Sequence, residues 1–105
     1  MAKVSKKTES FKRTIRKGIT LADFDTPWCA PCRLQRSIIE QLADEYKGKV
    51  QVTGFNVDDD SRLAMRFNIT SVPTLIIFKN GQEIRRFIGL RSAETLSQAI
   101  DKALL

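Results

Sequence analysis

The 105-residue chain has no histidine, only two cysteines, and a single tryptophan and a single tyrosine. A zinc centre wants about four ligands; two cysteines alone cannot supply them, and carboxylates or a second subunit would have to complete the set. No metal is expected. No apolar run approaches the ~20 residues of a membrane-spanning helix, so no membrane association is expected. The charged, polar N-terminal stretch lacks the apolar core of a secretory signal. The expected compartment is therefore the cytoplasm, where closely spaced cysteines are more often catalytic than structural. Acidic residues are the minority, 12 against 18 basic, for a net charge of +6. The excess is concentrated in Lys3, Lys6, Lys7, Lys12, Arg13, Arg16 and Lys17, against Glu9 alone. Phe11 is the single aromatic among them and no nucleic-acid motif accompanies them, so this is read as a solvated helix face, with no nucleic acid expected. Docking of an acidic redox partner is the second reading. No repeats, linkers or low-complexity segments occur, and 105 residues suffice for one core and one domain, residues 1–105.

Both cysteines fall in Trp28-Cys29-Ala30-Pro31-Cys32. Ahead of them, Ile19 to Phe24 forms a buried-strand pattern broken only by Asp23; after them, Arg33 to Lys47 carries Leu34, Ile38, Ile39, Leu42 and Tyr46 at helical spacing. The sulfurs thus sit at a strand-to-helix junction, and Pro31 suits the helix's first turn, where its missing N–H has no partner to lose. Unpaired N–H groups at a helix start favour a thiolate over a thiol, and the thiolate is the form that attacks disulfides. In such a motif the first cysteine is the more exposed and the second lies one turn deeper, making Cys29 the expected nucleophile and Cys32 the resolving thiol. A purely structural disulfide gains little from so small a loop. An inert buried pair leaves the flanking Trp28 and Pro31 without a reason.

Along the chain, Lys3 to Lys6 is expected as a short edge strand, followed by a helix capped by Thr8 or Ser10 and running to Lys17 with Phe11 and Ile15 on one stripe. Val50 to Val57 is the next strand, loosened at Gly54. Asp58 to Ser61 caps a short helix, Arg62 to Phe67, and Asn68 to Pro73 is a loop. Thr74 to Lys79 and Gln82 to Ile88 are strands joined by Asn80-Gly81, a strong hairpin signal. Gly89 closes the second of these, and a last helix opening at Ser92 carries Leu96, Ile100 and Leu104. Strands joined by helices are expected to be parallel and the last hairpin antiparallel. The fold class is α/β, a mixed central sheet flanked by helices on both faces.

Asp23-Phe24, Trp28-Cys29-Ala30-Pro31-Cys32-Arg33, Asn56-Val57-Asp58, Val72-Pro73-Thr74, Phe78-Lys79-Asn80-Gly81 and Gly89, in this order and spacing, resemble the thioredoxin family over nearly the whole chain. The resemblance implies that family's fold and a thiol-disulfide oxidoreductase with no bound cofactor. A thioredoxin reductase-type flavoenzyme drawing on NADPH would recharge it, disulfide-containing proteins would be its substrates, and it would be monomeric. It further implies that Pro73 is cis and lies beside the sulfurs. Trp28, Ala30, Val72, Pro73 and Gly89 would form a low apolar surface for an extended substrate segment, which the Val72 backbone would meet as an added strand. Asp23 matches the family's buried acid behind Cys32, assisting proton transfer. The residues agree on chemistry: an unpaired carboxylate in an apolar strand is expensive to ionise, and burial raises its pKa. A carboxylate satisfied by backbone or water is the plainer alternative.

Three positions depart from the common pattern. Ala30 stands where glycine is typical, Asp25 where an aromatic residue is usual, and Gly54 where a lysine commonly lies near the buried acid. Asp25 and Gly54 are expected to tune the site. Residues two apart on a strand are ~6.6 Å apart on one face, and two carboxylates at that distance repel by about 2.5 kcal/mol at an effective dielectric of ~20. Asp25 would then raise the proton affinity of Asp23 and Cys29, unless it bends into solvent at the strand end, where screening erases the effect. Two further readings stand beside the reductase. One is a non-catalytic binding module that holds a partner on the Val72-Pro73 surface. The other is an oxidase or isomerase of an oxidising compartment, disfavoured by the missing signal segment and the Ala-Pro dipeptide.

Overall fold

Residues 6–105 are described by the computed structural model. Four helices and four strands follow one another along them: α1 Lys6–Ile15, β1 Ile19–Asp25, α2 Ala30–Glu45, β2 Gln51–Asn56, α3 Ser61–Arg66, β3 Thr74–Lys79, β4 Gln82–Ile88 and α4 Ala93–Leu104. The expected edge strand Lys3–Lys6 lies outside the described residues except for Lys6, which begins α1. That helix therefore starts before either expected cap, and Ser10 is inside it, its carbonyl accepting from Thr14 Oγ1.

The sheet has the order β2-β1-β3-β4. β1, one of the two inner strands, is buried along its whole length. It runs parallel to β2, with Asp23 opposite Gly54, and antiparallel to β3, with Asp23 opposite Leu75. β3 and β4 are antiparallel through the Asn80-Gly81 turn, where both residues take the positive φ (51° and 87°) that a two-residue hairpin demands. Ile84 has no partner across that hairpin, because the register shifts at Ile77/Phe78, and it stands exposed on the edge strand.

One topological expectation fails. β2 and β3 are joined by a helix yet run in opposite directions, since β3 is antiparallel to β1 and β1 parallel to β2. Six-residue α3 extends only ~9 Å, too short to carry the chain back along a six-residue strand of ~20 Å. The connection instead crosses the end of the sheet, and β3 sets off from the end where β2 finished.

Alternation along the strands splits the core in two. Ile19, Leu21, Leu75 and Ile77 pack against Ile39, Leu42 and Tyr46 of the α2 region and Leu96 and Ile100 of α4. Ala22, Phe24, Ile76 and Phe78 pack on the other face against Phe11 and Ile15 of α1 and Leu63 of α3. There Phe11 meets Phe24, Phe55, Phe67 and Phe78 edge-on, with centroids 5.4–6.0 Å apart, a geometry that adds to simple burial. Two residues expected on apolar stripes face outward. Leu34 is 63% exposed because the buried stripe of α2 is Cys32, Gln35, Ile39 and Leu42, and Leu104 yields its place on α4 to Ala103.

Candidate active site

The C-terminal end of β1, the N-terminal ends of α2 and β3 and the C-terminal end of β4 all meet at one end of the sheet. β1 delivers the chain through Thr26-Pro27-Trp28 to Cys29, which is the N-cap of α2. Its extended backbone (φ −91°, ψ 118°) turns Sγ back over the helix start, where it accepts the Cys32 N–H at 3.3 Å. Pro31 lies in the first turn. A sulfur in this position receives both a hydrogen bond and the positive end of the α2 dipole, which together favour the thiolate when the pair is reduced. Cys29 and Cys32 are joined as a disulfide. Cys29 is 8% exposed and Cys32 fully buried.

Three more segments close around the pair. The Val72–Pro73 bond is cis, and the Val72 carbonyl oxygen lies 3.8 Å from Cys29 Sγ. Gly89, at φ 94°, turns its N–H onto the Pro73 carbonyl at 2.8 Å, bringing the end of β4 beside the start of β3. Trp28 is 70% exposed, its ring held on the surface by the Nε1–H donated to Asp58 Oδ2 at 3.0 Å. Of the residues expected to form a substrate surface, Trp28 and Ala30 are exposed and Val72 and Gly89 half-buried, whereas Pro73 is buried and so lies beneath that surface. Beside them a groove of about 350 Å³ is lined by Trp28, Val57, Met65, Ile69 and Val72.

Asp23 is 2% exposed, and its Oδ1 has no hydrogen-bond partner. Burial pushes its pKa up to about 7; the neighbouring Asp25 adds to this by its charge and by a side-chain hydrogen bond, while Arg36 opposes it. Asp25 does not bend away at the strand end. β1 extends through it, it is 7% exposed, and Arg36 Nη2 donates to its Oδ2 at 3.2 Å. Gly54 leaves the β2 side of this acidic pair open. A cavity of about 480 Å³ lies there, with Asp25, Arg36, Thr53, Gly54 and Asp59 in its lining.

Sequence reasoning missed Arg36, Gln35 and Met65. Arg36 is one helical turn past Cys32, so it faces the same way; a basic residue there beside an acidic strand end was the available signal. Gln35 is the lone polar residue in the buried stripe of α2. Its amide bonds both backbone groups of Arg91. Met65, 73% exposed, carried no signal, because only the fold brings it to the groove beside Trp28.

No helix among the described residues is long and apolar enough to cross a membrane. The Thioredoxin family profile matches residues 2–102. A thioredoxin from Staphylococcus haemolyticus is 36% identical over 104 residues, covering 99% of this chain and all of its own. One from Staphylococcus aureus is 35% identical with the same coverage. Among solved structures, an asparagine-to-glutamine mutant thioredoxin from Halobacterium salinarum NRC-1 superposes with a TM-score of 0.83 at 26% identity, over 96% of this chain and 87% of that one. A cysteine pair capping α2, the family profile across almost the whole sequence and end-to-end relatives converge: the chain belongs to the thioredoxin family and is a thiol-disulfide oxidoreductase, a protein-disulfide reductase whose redox-active group is its own CxxC disulfide.

Proposed function

We propose that the chain is a one-domain cytoplasmic carrier that reduces protein disulfides by a division of labour between Cys29 and Cys32, with Asp23 as proton acceptor. The observation that carries this reading is the position of Cys29 Sγ, capping α2 through the Cys32 N–H and facing the Val72 carbonyl. In the reduced protein the Cys29 thiolate attacks one sulfur of a substrate disulfide. A Cys29–substrate bond forms, and the other substrate sulfur leaves as a thiolate that takes a proton from water. Cys32 then gives its thiol proton to Asp23 and attacks Cys29 Sγ. The Cys29–Cys32 bond forms, the mixed disulfide breaks, and the second substrate sulfur departs. Two electrons have passed from the dithiol to the substrate disulfide.

The substrate is an extended segment lying over Ala30 and Gly89, its backbone meeting Val72 beside Pro73, with an apolar side chain entering the groove of Trp28, Val57 and Met65. A thioredoxin reductase-type flavoenzyme, using NADPH, returns the disulfide to the dithiol. Trapping with Cys32→Ser tests the scheme. That variant should accumulate covalent adducts on Cys29 with disulfide-containing proteins, and Cys29→Ser should accumulate none. Adducts formed equally by both variants would overturn the assignment.

A further inference from the structure

We propose that Asp25 is the proton exit of the redox centre, relaying to solvent the proton that Asp23 takes up. The proposal rests on the reading of Asp23 as proton acceptor, and it starts from a problem that reading creates. An acceptor that works once per turnover must also discharge, and Asp23 has almost no surface of its own: 2% exposed, in the central strand, with β2 on one side and β3 on the other. Its Oδ1 touches no donor or acceptor.

Asp25 supplies the missing path. It is two residues further along β1, hence on the same face, and both side chains are buried there as neighbours. Beyond Asp25 lies the 480 Å³ cavity, large enough for water and small anions. Gly54, the register partner of Asp23, keeps the β2 side of this path unfilled: a Cβ there would meet only the Asp23 carbonyl, at 4.0 Å. Arg36 is the positioning residue. Donating to Oδ2 from α2, it holds the Asp25 carboxyl between the buried acid and the cavity.

Among the described residues, the charged groups around Asp25 are Asp23 on its own strand, Arg36 on α2 and Asp59 on the β2–α3 connection. Among the side chains described on α1, those of Ser10, Phe11 and Thr14 line the cavity. The step balances simply. The proton lost by Cys32 as the Cys29–Cys32 bond forms resides on Asp23; it passes to the neighbouring Asp25 carboxyl and from Asp25 to water. Both carboxylates are restored, and no electrons move in this leg.

Rapid mixing of the reduced protein with one equivalent of dithionitrobenzoate tests it. The first chromophore is released by Cys29 and the second as Cys32 displaces the mixed disulfide, so the first phase reads the nucleophile and the fold while the second reads proton transfer. In Asp25→Ala the second phase should slow about tenfold, well short of the ~10²–10⁴ a positioned general base supplies directly. It should recover as formate is raised at constant pH and ionic strength, because formate fits the vacated cavity and can carry the proton. The parent should ignore formate, and Asp25→Glu should resemble the parent. A second phase at the parental rate, or a slowed phase indifferent to formate, overturns the relay. Should Asp25→Ala not fold, the isosteric Asp25→Asn, which leaves no room for formate, carries the rate arm alone: a slowed second phase supports the relay and a parental one overturns it. Asp23→Asn separates the two readings: a parental second phase there removes the acceptor itself, and the relay with it, whereas a slow one leaves the acceptor in place whatever Asp25 does.

Discussion

Gln35 holds Arg91 by both of its backbone groups: the Gln35 Nε2 donates to the Arg91 carbonyl at 3.0 Å, and the Arg91 N–H donates to Gln35 Oε1 at 2.7 Å. The glutamine is fully buried and sits one turn past Cys32. Through it the helix that carries the resolving cysteine also fixes the segment just after Gly89.

Gln35→Leu should therefore do two things. It strands a backbone N–H and a C=O, each costing about 1–3 kcal/mol when left unpaired, which urea unfolding would measure. It also frees the Gly89-Leu90 segment, so kcat/KM should fall more for insulin than for a small aromatic disulfide. An equal loss on both substrates would show that the clasp serves stability alone.

The proton affinity of Asp23 makes folding stability depend on pH. Its folded pKa, about 7, lies above the unfolded value of 3.8, so the folded state binds the proton more tightly. The contribution is fully present below pH 3.8 and is lost as the pH rises through about 7, amounting to up to about 4 kcal/mol. Asp23→Asn should flatten this dependence and leave the protein more stable than the parent at pH 8. Gly54→Lys, whose Cβ is accommodated, should lower the Asp23 pKa by placing a cation beside it. Denaturant titrations across pH check both.

In the reduced protein, Cys29 should be alkylated at least about tenfold faster than Cys32, because it caps the helix and touches the surface while Cys32 is sealed beneath it. Brief iodoacetamide exposure followed by peptide mapping reads the ratio. Comparable labelling would contradict the assignment of nucleophile.

Trp28→Phe keeps an apolar ring but removes the donor to Asp58. For so exposed a bond the stability change should be small, about 0.5–1 kcal/mol. The larger effect should be a raised KM for protein substrates, because the ring is no longer held at the mouth of the Met65 groove. Asp58→Asn retains an acceptor and should behave more like the parent.

Local signals in the sequence were strong where chemistry and period coincided. The buried run of β1, the Asn80-Gly81 turn, the Ser92 cap of α4 and the Trp28–Cys32 motif each announce themselves within a few residues. The direction of β3 did not, because the length of α3, not its presence, decides whether the chain can return along the sheet. Leu34 misled for a related reason: its apolar character matched the helical period, but the buried position beside it went to a polar residue whose partner is distant in sequence. Arg36 and Asp25 are ordinary surface types that become an ion pair, with the acid buried and the arginine at the surface, only when the end of β1 meets α2. Contacts between remote segments leave no local periodicity to read.

The three loops that close on the disulfide all lie at one end of the sheet, and the opposite end therefore has nothing to do with electron transfer. There the Asn80 N–H donates to the Gly18 carbonyl, and the Gly18 N–H to Asn80 Oδ1, tying the hairpin to the start of β1. The neighbouring turn at Lys47, Gly48 and Lys49 is exposed, with Gly48 at φ 84°. Backbone that is exposed and outside the sheet is where chains accept foreign segments. A second protein module spliced between Gly48 and Lys49 should leave insulin reduction intact, whereas the same graft at Asn80-Gly81 should cut the clip and unfasten β1. The molecule thus has a natural handle, set about as far from its sulfurs as the sheet allows.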